Sequence, residues 1–420
     1  MAHQILEGIR VLDLTMYRFG PVATTTLAML GAEVIKIEAP MGEPGRASMN
    51  MGVVKGGEGK GFGGMNLSAY FEANNSCKKA IVLDLAKPKA KEILYQLTAK
   101  SDVFMQNMRG GVAARLGCDY PTLKKYNPKL IYCSGTSFGT KGPDAEKPGF
   151  DTAGVARAGW MWLPPTEDGQ PINPLGGSCD QLGGIFAANA ILAALLARER
   201  FGIGQACETS HLVASMWLVL DPVQTTYLTG KPLAYLQPRS RAVNPAGNYY
   251  KCKDGEWLML LSSIPRQFVT VCQALGIPES IYKDDPRFNT RSARAKNAKE
   301  AVALFDEYMA KKTREEHIKS FEGKDIFWER VQRVYDLAKD PQVIANEYMT
   351  DYTNPLTGLT YKFQRLPMQF SETPAVKVGR APLLGEHTEE ILVNLLGYKK
   401  ADVPKLLDEI GRPQVAPVED

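Results

Sequence analysis

The sequence predicts an α/β protein whose parallel sheet is covered by helices on both faces. In the first half of the chain, short apolar strands alternate with helices, which is the pattern of a parallel sheet. The chain has 420 residues, of which 44% are hydrophobic and 23% charged, so it can bury full cores in two or three domains. Small stapled scaffolds and disordered chains are excluded on the same grounds.

The elements follow in order along the chain. Residues 9–14 form an apolar strand, Pro21 suits a first helical turn, Gly31 ends that helix, and residues 33–37 form the next strand. The alternation continues with a strand at 80–85, a helix at 88–99, and strands at 103–106 and 130–133.

Two segments depart from this pattern. Residues 42–75 are rich in glycine, methionine and serine, and we expect a long loop that is either a lid over a site or an idle insertion. From about residue 225 to 347, short strands such as 257–261 accompany charged amphipathic helices at 301–311 and 314–321. This change predicts a second, smaller α+β domain, and the final stretch holds a strand at 360–363 and a helix at 388–396.

Composition argues against several classes of protein. A net charge of +4 is too slight to indicate a nucleic-acid partner. Seven cysteines without a CxxC pair, with only four histidines, argue against structural zinc and disulfides. No secretory signal is visible, which favours the cytoplasm. The longest apolar stretch, 182–197, contains Asn189 and predicts a buried helix of a soluble protein, not a membrane span.

Familiar nucleotide and hydrolase motifs are missing. The turn after the first strand, residues 17–21, lacks the three glycines of a dinucleotide fingerprint. Neither a GxxxxGK[ST] loop nor a GxSxG elbow occurs. The chemistry must therefore come from another pattern.

The best chemical candidate is the glycine-rich turn at 176–184, which holds Asp180 at the start of the long apolar helix. Taken alone, Asp180 is best interpreted as a helix N-cap. Glycines on both sides nevertheless allow a ligand to approach the carboxylate, and a carboxylate nucleophile near amide donors suits acyl transfer. Cys179 is a rival nucleophile, although a small buried thiol is its more common role.

Two further groups are open to two interpretations. The aromatic side chains around Phe150-Asp151 and Trp160-Met161-Trp162 suit core packing and pocket lining about equally. Six basic residues near predicted strand ends are individually typical of surface charge, but as a set they would suit the phosphates of a ligand. They are Arg18, Lys36, Arg46, Lys87, Arg109 and Arg115.

Seven ordered segments resemble the family III CoA-transferases of the CaiB/BaiF type, the formyl-CoA and carnitine CoA-transferase group. The segments are LEGIRVLDLT at 6–15, GPVATTTLAMLGAEVIKIEAP at 20–40, KKAIVLDLAKP at 78–88, NMRGGVAARLG at 107–117, NPKLIYCSGTSFGTKGP at 127–143, CDQLGGIFAANAILAALLARERFGIGQ at 179–205 and GRAPLLGEHTEEIL at 379–392.

This resemblance implies a large Rossmann-like CoA-binding domain at 1–224, a small α+β domain at 225–345, a return to the large domain at 346–420, and an interlocked homodimer. It implies that Asp180 is the nucleophile, which overrides the N-cap interpretation. We expect backbone amides near Gln181, Gly183 and Gly184 to stabilise oxyanions. Coenzyme A or acyl-CoA is then a substrate, with no tightly bound cofactor and no metal. Its expected contacts are Arg18, Leu83, Asn107, Met108 and Arg115, with Lys87 replacing the lysine usual at Ala86.

The implied activity moves CoA from an acyl-CoA donor to a free carboxylic acid through aspartyl anhydride and aspartyl-CoA thioester intermediates. One alternative is a 2-methylacyl-CoA racemase of the same fold, but Phe150 stands where its histidine base belongs. Another is a non-catalytic CoA-binding subunit of a heteromeric transferase. Residues 160–162 and the methionine-rich segment 49–65 predict an aryl, branched-chain or 2-hydroxy acid as acceptor.

Overall fold

The structure is a computed structural model that describes most of the chain. The described residues are 3–46, 68–163, 166–173, 175–231, 238–262, 264–356, 358–373 and 378–414. Most of the expected loop at 42–75, including the methionine-rich segment 49–65, lies outside them.

Within the described residues, parallel strands form a six-stranded sheet in the order β3-β2-β1-β4-β5-β6. They are β1 (Arg10–Leu14), β2 (Glu33–Glu38), β3 (Lys79–Val82), β4 (Val103–Gln106), β5 (Ile131–Thr136) and β6 (Gln205–Ser210). The predicted α/β class with a parallel sheet is confirmed. The strand order reverses between β1 and β4, and ligands of open sheets bind at the carboxyl ends of the strands at such a point.

Helices in this part of the chain connect the strands and flank the sheet. They are α1 (Phe19–Met29), α2 (Ala69–Asn75), α3 (Pro88–Ala99), α4 (Val112–Leu116), α5 (Tyr120–Leu123), α6 (Asp151–Arg157), α7 (Ser178–Phe201) and α8 (His211–Leu218). Short 3-10 turns lie at Pro44–Arg46 and Trp160–Trp162.

A second compact unit comprises 161–172 and 221–343. Its antiparallel strands pair in the order β7 (Tyr249–Lys251), β8 (Trp257–Leu260) and β9 (Trp328–Arg330). Its helices are α9 (Leu220–Thr229), which begins at the unit boundary, α10 (Pro265–Leu275), α11 (Arg291–Lys296), α12 (Ala298–Met309), α13 (Arg314–Phe321) and α14 (Pro341–Ala345), which ends beyond it. Short turns at Arg239–Arg241, Ser280–Asp284 and Val334–Lys339 complete it.

The chain returns to the first unit after Val343. This return holds an antiparallel hairpin of β10 (Met349–Thr353) and β11 (Thr360–Gln364), followed by α15 (Thr388–Glu390) and α16 (Val403–Ile410). Irregular turns at Ile391–Leu395 and Lys400–Asp402 connect the two helices. Besides the changes on either side of 161–172, the chain changes unit between residues 220 and 221 and between 343 and 344. The domain boundaries expected after 224 and 345 stay predictions.

Both faces of the parallel sheet are buried. Successive residues of a strand point to opposite faces, so each strand contributes side chains to two cores. Val11 and Val34 pack with α1 and α7, whereas Leu12 and Ile35 pack with α3 and α16. Helix α7 is long and apolar enough to cross a membrane by length and composition, but core helices of soluble proteins pass the same test. Its Ala187, Ile191 and Leu195 are buried in the core between α7 and the sheet.

Local sequence explains where prediction succeeded and where it failed. Helix α3 begins with Pro88 at its first position and matches the expected range. Strand β6 was missed, because its sequence QACETS is polar and an edge strand need not be apolar on both faces. Helix α2 was also missed: it lies within the expected loop at 42–75, where Ser68 caps it by accepting from the Phe71 N–H.

Candidate active site

The carboxyl ends of the parallel strands place several polar side chains at one edge of the sheet. The turn after β1 leads to Arg18, Asn107 directly follows β4, and His211 directly follows β6. Asn107 joins the first two connections, because its Oδ1 accepts from the Met16 N–H at 2.9 Å and its Nδ2 donates to Met16 O at 2.8 Å. A site at the reversal between β1 and β4 follows from this arrangement.

Asp180 lies in the first turn of α7 and does not cap it. The N-cap residue of α7 is Gly177, at φ +83°, which has no side chain to cap the helix. The hydrogen-bond acceptor for the amides at this helix start comes from another element. Asp151, the first residue of α6, accepts from the Gly177 N–H at 2.9 Å and from the Asp180 N–H at 2.8 Å. The N-cap interpretation of Asp180 is therefore wrong, since Asp151 satisfies these two amides and leaves the Asp180 carboxylate available.

His211 is the side-chain partner of Asp180, and sequence reasoning did not find it. Its Nε2 donates to Asp180 Oδ1 at 2.7 Å, and the two side chains are 10% and 19% exposed. His211 was missed because strand β6 was not predicted. Once β6 is recognised, His211 directly follows its carboxyl end, where the other polar residues of the site also lie. A carboxylate with one oxygen hydrogen-bonded and partial access to solvent can act as a nucleophile.

Arg18 lies beside the start of α7. Its guanidinium is centred 5.2 Å from the ring of Tyr70, and its Nη1 donates to Gly176 O at 3.5 Å. A side chain at Gly177 would overlap this guanidinium, with the added Cβ only 2.6 Å from Arg18 Cζ. Burial raises the pKa of Tyr70 to about 12, so its phenol stays neutral beside the site.

A buried ionic network holds the turn between β1 and Arg18. Lys36 Nζ donates to Thr15 O at 2.9 Å, and Glu43 Oε2 accepts from the N–H of Tyr17, which has a φ of +62°. Beneath them, Lys78 Nζ lies 2.8 Å from Asp13 Oδ2, with both side chains fully buried. Burial opposes ionisation of Asp13, but the nearby lysines outweigh it and lower its pKa to about 2. The unusual backbone at Tyr17 is thus held by charged groups that cannot move freely.

The three other residues expected to act with Asp180 are placed by packing and helix geometry. The Gln181 N–H donates to Gly177 O at 2.9 Å. Gly183 and Gly184 are buried where α7 crosses α1, and a Cβ on either would come within 2.8 Å of Phe19 or Val22. Close helix contact therefore explains both glycines. Oxyanion stabilisation by these amides stays a prediction.

Cys179 is buried, as the plain interpretation of this thiol expected. Its Sγ lies 3.0 Å from His211 O and 2.9 Å from Ser215 Oγ. Burial raises its pKa to about 12, which keeps the thiol protonated. A thiolate nucleophile at this position is unfavourable.

Comparison with known proteins decides the family. CoA-transferase family III matches residues 6–388 of the chain. The chain is 32% identical to succinyl-CoA:glutarate CoA-transferase of Mus musculus over 408 residues, which cover 96% of this chain and 89% of the mouse protein. The chain belongs to CoA-transferase family III. The resemblance stated from the sequence is confirmed, and this family III CoA-transferase is an enzyme.

Two further relatives agree with this assignment. The transferase is 31% identical to cinnamoyl-CoA:phenyllactate CoA-transferase of Clostridium sporogenes, with 96% of each chain covered. A crystal structure of a CAIB/BAIF family protein from Brucella suis has a TM-score of 0.83 at 28% identity, and the match covers 94% of this chain and 100% of that one. CoA-transferases use CoA thioesters as substrates, which makes the expected CoA contacts relevant.

The residues expected to contact CoA in this transferase differ in exposure: some are accessible and others are buried. Arg18 follows β1 and Asn107 follows β4, the two strands between which the sheet order reverses, and Arg115 is exposed on α4. Leu83 and Met108 are only 2% and 8% exposed, so their side chains belong mainly to the core. Their role as CoA contacts stays a prediction.

Other expected phosphate ligands are engaged elsewhere. The side chain of Lys87 donates to Asp408 O at 2.8 Å and is half-buried. Lys36 is fully buried, and Arg46 forms a two-point pair with Glu38 at 2.6 Å. Those two are therefore neither surface charges nor phosphate ligands, whereas Arg109 is exposed.

Proposed function

We propose that this family III CoA-transferase moves CoA from an acyl-CoA donor to a free carboxylic acid through Asp180. The observation that carries this proposal is the Asp180 carboxylate itself. It stands at a helix N-terminus, is not used in capping, and is partly open to a ligand. Its position beside Arg18 and the sheet reversal supports binding of an anionic CoA thioester there.

The proposed reaction has four acyl-transfer steps. Asp180 Oδ2 attacks the donor thioester carbon, the C–S bond breaks, and a mixed anhydride and CoA thiolate form. The thiolate then attacks Asp180 Cγ, which releases the donor acid as a carboxylate and leaves an aspartyl-CoA thioester. The acceptor carboxylate attacks that thioester to give a second anhydride, and the thiolate completes the cycle by attacking the acceptor acyl carbon.

The decisive variant is Asp180→Asn, because an amide cannot form the anhydride. We expect it to fold and to lose measurable transfer, whereas Asp119→Asn, at the N-cap of the short helix α5, should keep its activity. Hydroxylamine added during turnover should convert Asp180 to a hydroxamate that peptide mass spectrometry detects. Substantial activity of the Asn variant, after a check for deamidation, or a hydroxamate at another carboxylate, would remove Asp180 from the mechanism.

A racemase remains the second candidate because of His211. Phe150 is 67% exposed and occupies the position where a base was expected, but the His211–Asp180 pair supplies a titratable group that the sequence argument lacked. The transferase proposal predicts that a chiral 2-methylacyl-CoA keeps its α-deuterium when no acceptor acid is present. Rapid loss of the deuterium under that condition would favour the racemase. The relatives named above are transferases, which argues against a non-catalytic subunit.

The acceptor is proposed to be an aryl, branched-chain or 2-hydroxy acid. A cavity of about 610 Å³ in the first unit includes Arg18 and Gln181 in its walls and has apolar surface from Val22, Met29 and Phe363. Such a volume suits a bulky acyl group. Phenyllactate, named for one relative, is both aryl and a 2-hydroxy acid, whereas glutarate is a small diacid.

Rates with phenyllactate, a branched 2-hydroxy acid, glutarate and oxalate, each from several CoA donors, would test this choice. Exclusive use of a small diacid would refute it. Trp162, which partly motivated the acceptor prediction, is 68% exposed, so it is not a core residue.

We also propose an interlocked homodimer in the cytoplasm. Large apolar side chains on the first unit are exposed near the end of α7 and on α8, among them Leu196, Phe201 and Trp217. Exposed apolar surface of this kind supports a contact with another subunit. Light scattering of the purified protein tests it, and a monomer at micromolar concentration would contradict it.

A further inference from the structure

Contacts on several sides fix the position of His211. Cys179 Sγ donates to its carbonyl oxygen, and Ser210 caps α8 by accepting from the Val213 N–H. A Cβ on Gly154 of α6 would lie 2.6 Å from His211 Cβ, so α6 packs directly against this residue. The ring edge of Phe19 completes the enclosure at 4.7 Å between ring centroids.

The contacts of the two ring nitrogens of His211 indicate its tautomer. Nε2 faces a carboxylate, which can only accept, so Nε2 carries a hydrogen. Nδ1 is buried and has no hydrogen-bond partner among the described residues. A hydrogen on Nδ1 would lack an acceptor among these residues, so the tautomer with its hydrogen on Nε2 fits the contacts of the ring.

We propose that His211 is a catalytic oxyanion donor in the two steps at the Asp180 carbonyl carbon. This inference rests on the proposed function. Because Nε2–H holds Oδ1, the other oxygen, Oδ2, is the one that attacks and becomes the bridging atom of the anhydride. Oδ1 is then the carbonyl oxygen of both the anhydride and the aspartyl-CoA thioester.

The hydrogen bond to Oδ1 strengthens where the reaction needs it. When CoA thiolate attacks Asp180 Cγ, the carbonyl electrons move to Oδ1, which becomes a full oxyanion. Collapse returns the electrons and expels the donor carboxylate with Oδ2. The acceptor carboxylate later produces the same oxyanion when it attacks the thioester and expels thiolate. In the anhydride and thioester Oδ1 is uncharged, so the donor stabilises these transition states more than their ground states.

The test compares two substitutions at His211. Loss of one oxyanion donor lowers kcat by about 10²–10³-fold, and we expect that loss in His211→Ala with little change in KM for acyl-CoA. His211→Gln supplies an N–H at a similar reach without a titratable base and should recover most of kcat. A kcat for His211→Ala within about threefold of wild type, far below the expected loss, or a Gln variant as inactive as Ala, would overturn the proposal.

His317 provides a matched control in the second unit. It is also buried, its Nε2 donates to Met309 O at 2.8 Å, and its Nδ1 likewise has no partner among the described residues. His317→Ala should lower thermal stability and leave kcat unchanged. If His211→Ala does not fold, His211→Asn takes its place, because its shorter amide cannot reach Oδ1; equal kcat of the Asn and Gln variants would then overturn the proposal.

Rapid-quench mass spectrometry separates the steps. When wild-type enzyme is mixed with acyl-CoA and no acceptor, the Asp180 peptide should gain CoA while donor acid is released. In His211→Ala, this gain should slow by the same factor as kcat, and His211→Gln should restore it. An unchanged rate of thioester formation would overturn the role of His211. The proposed function would fail separately, by activity in Asp180→Asn or by absence of any Asp180 adduct in wild type.

Discussion

The substitution Gly183→Ala tests whether the closeness of α1 and α7 controls the geometry of the site. A Cβ at residue 183 would lie 2.7 Å from Phe19 Cδ2, 2.8 Å from Cζ, and closer still to Cε2. The ring cannot turn away, because the opposite edge already lies against Gly135, where an added Cβ would be 2.6 Å from Cδ1. The His211 ring also lies against Phe19, with 4.7 Å between the ring centroids.

The expected cost follows from two opposing effects. Overpacking a buried ring destabilises by about 1–3 kcal/mol. Replacing glycine by alanine within a helix stabilises by about 1 kcal/mol. The net destabilisation is then up to about 2 kcal/mol, which for a unit of this size lowers the Tm by up to about 4 °C. Pushing Phe19 toward His211 should also separate Nε2 from Oδ1, and a displacement of about 1 Å can reduce the rate by roughly 10²-fold.

Calorimetry and steady-state kinetics on a double-mutant cycle provide the assay. Phe19→Leu removes the ring atoms in conflict, so the double variant should recover kcat and be more stable than the sum of the single effects by about 1 kcal/mol. Asn189→Ala, at an exposed position of the same helix, controls for helix propensity: it should stabilise by up to about 0.7 kcal/mol and leave kcat unchanged. Alanine keeps the backbone N–H of residue 183, so full activity and stability of Gly183→Ala would refute the packing argument.

Two further predictions concern charged groups around the site. Asp151→Asn places an amide opposite the Gly177 and Asp180 N–H groups, so it should lower the free energy of unfolding by about 1–3 kcal/mol and reduce kcat. The control Asp144→Asn should affect kcat little. Equal kcat for Asp151→Asn and wild type would contradict the role of Asp151 in placing Asp180. The pKa of Asp13 in the folded protein is about 2, below its ordinary value of 3.8. Ionised Asp13 therefore adds about 2 kcal/mol to the free energy of unfolding. This stabilisation is fully present above pH 3.8 and is lost as the pH falls toward 2. Urea unfolding at pH 5 and pH 3 should show less loss of stability on acidification for Asp13→Asn than for wild type, and parallel losses would refute this pKa.

The sequence was sufficient to predict five of the six parallel strands, β1 to β5, because buried parallel strands are apolar on both faces. Helix α3 and strand β4 have their expected ranges, since Pro88 and the apolar run at 103–106 act locally. Strand β6 shows the limit of that reasoning. It lies at the edge of the sheet, and its place depends on pairing with β5, a contact that no local pattern encodes.

The site was predictable only in part for a related reason. Asp180 could be found from its glycine-rich turn, and the family resemblance assigned its role. Its capping partner Asp151 and its neighbour His211 are 29 and 31 residues away in the chain. Lys36 and Arg46 also seemed to be free charges until the fold placed Glu38 and Glu43 beside them. Pairings over such separations arise from tertiary structure alone.

Asp151 of α6 and Asp180 of α7 meet at the start of α7, and on the proposed mechanism they divide two tasks that one carboxylate could not perform together. A capping carboxylate must stay bonded to backbone amides, whereas an anhydride-forming carboxylate must release an oxygen to an acid in every cycle. If Asp180 capped its own helix, each turnover would break those bonds and leave buried donors unsatisfied. Asp151 takes the amides of Gly177 and Asp180 instead, so the first turn of α7 would stay bonded during the proposed chemistry on the Asp180 side chain. On the proposed mechanism, the helix supplies a fixed position for Asp180, and only the carboxylate of Asp180 changes its bonding.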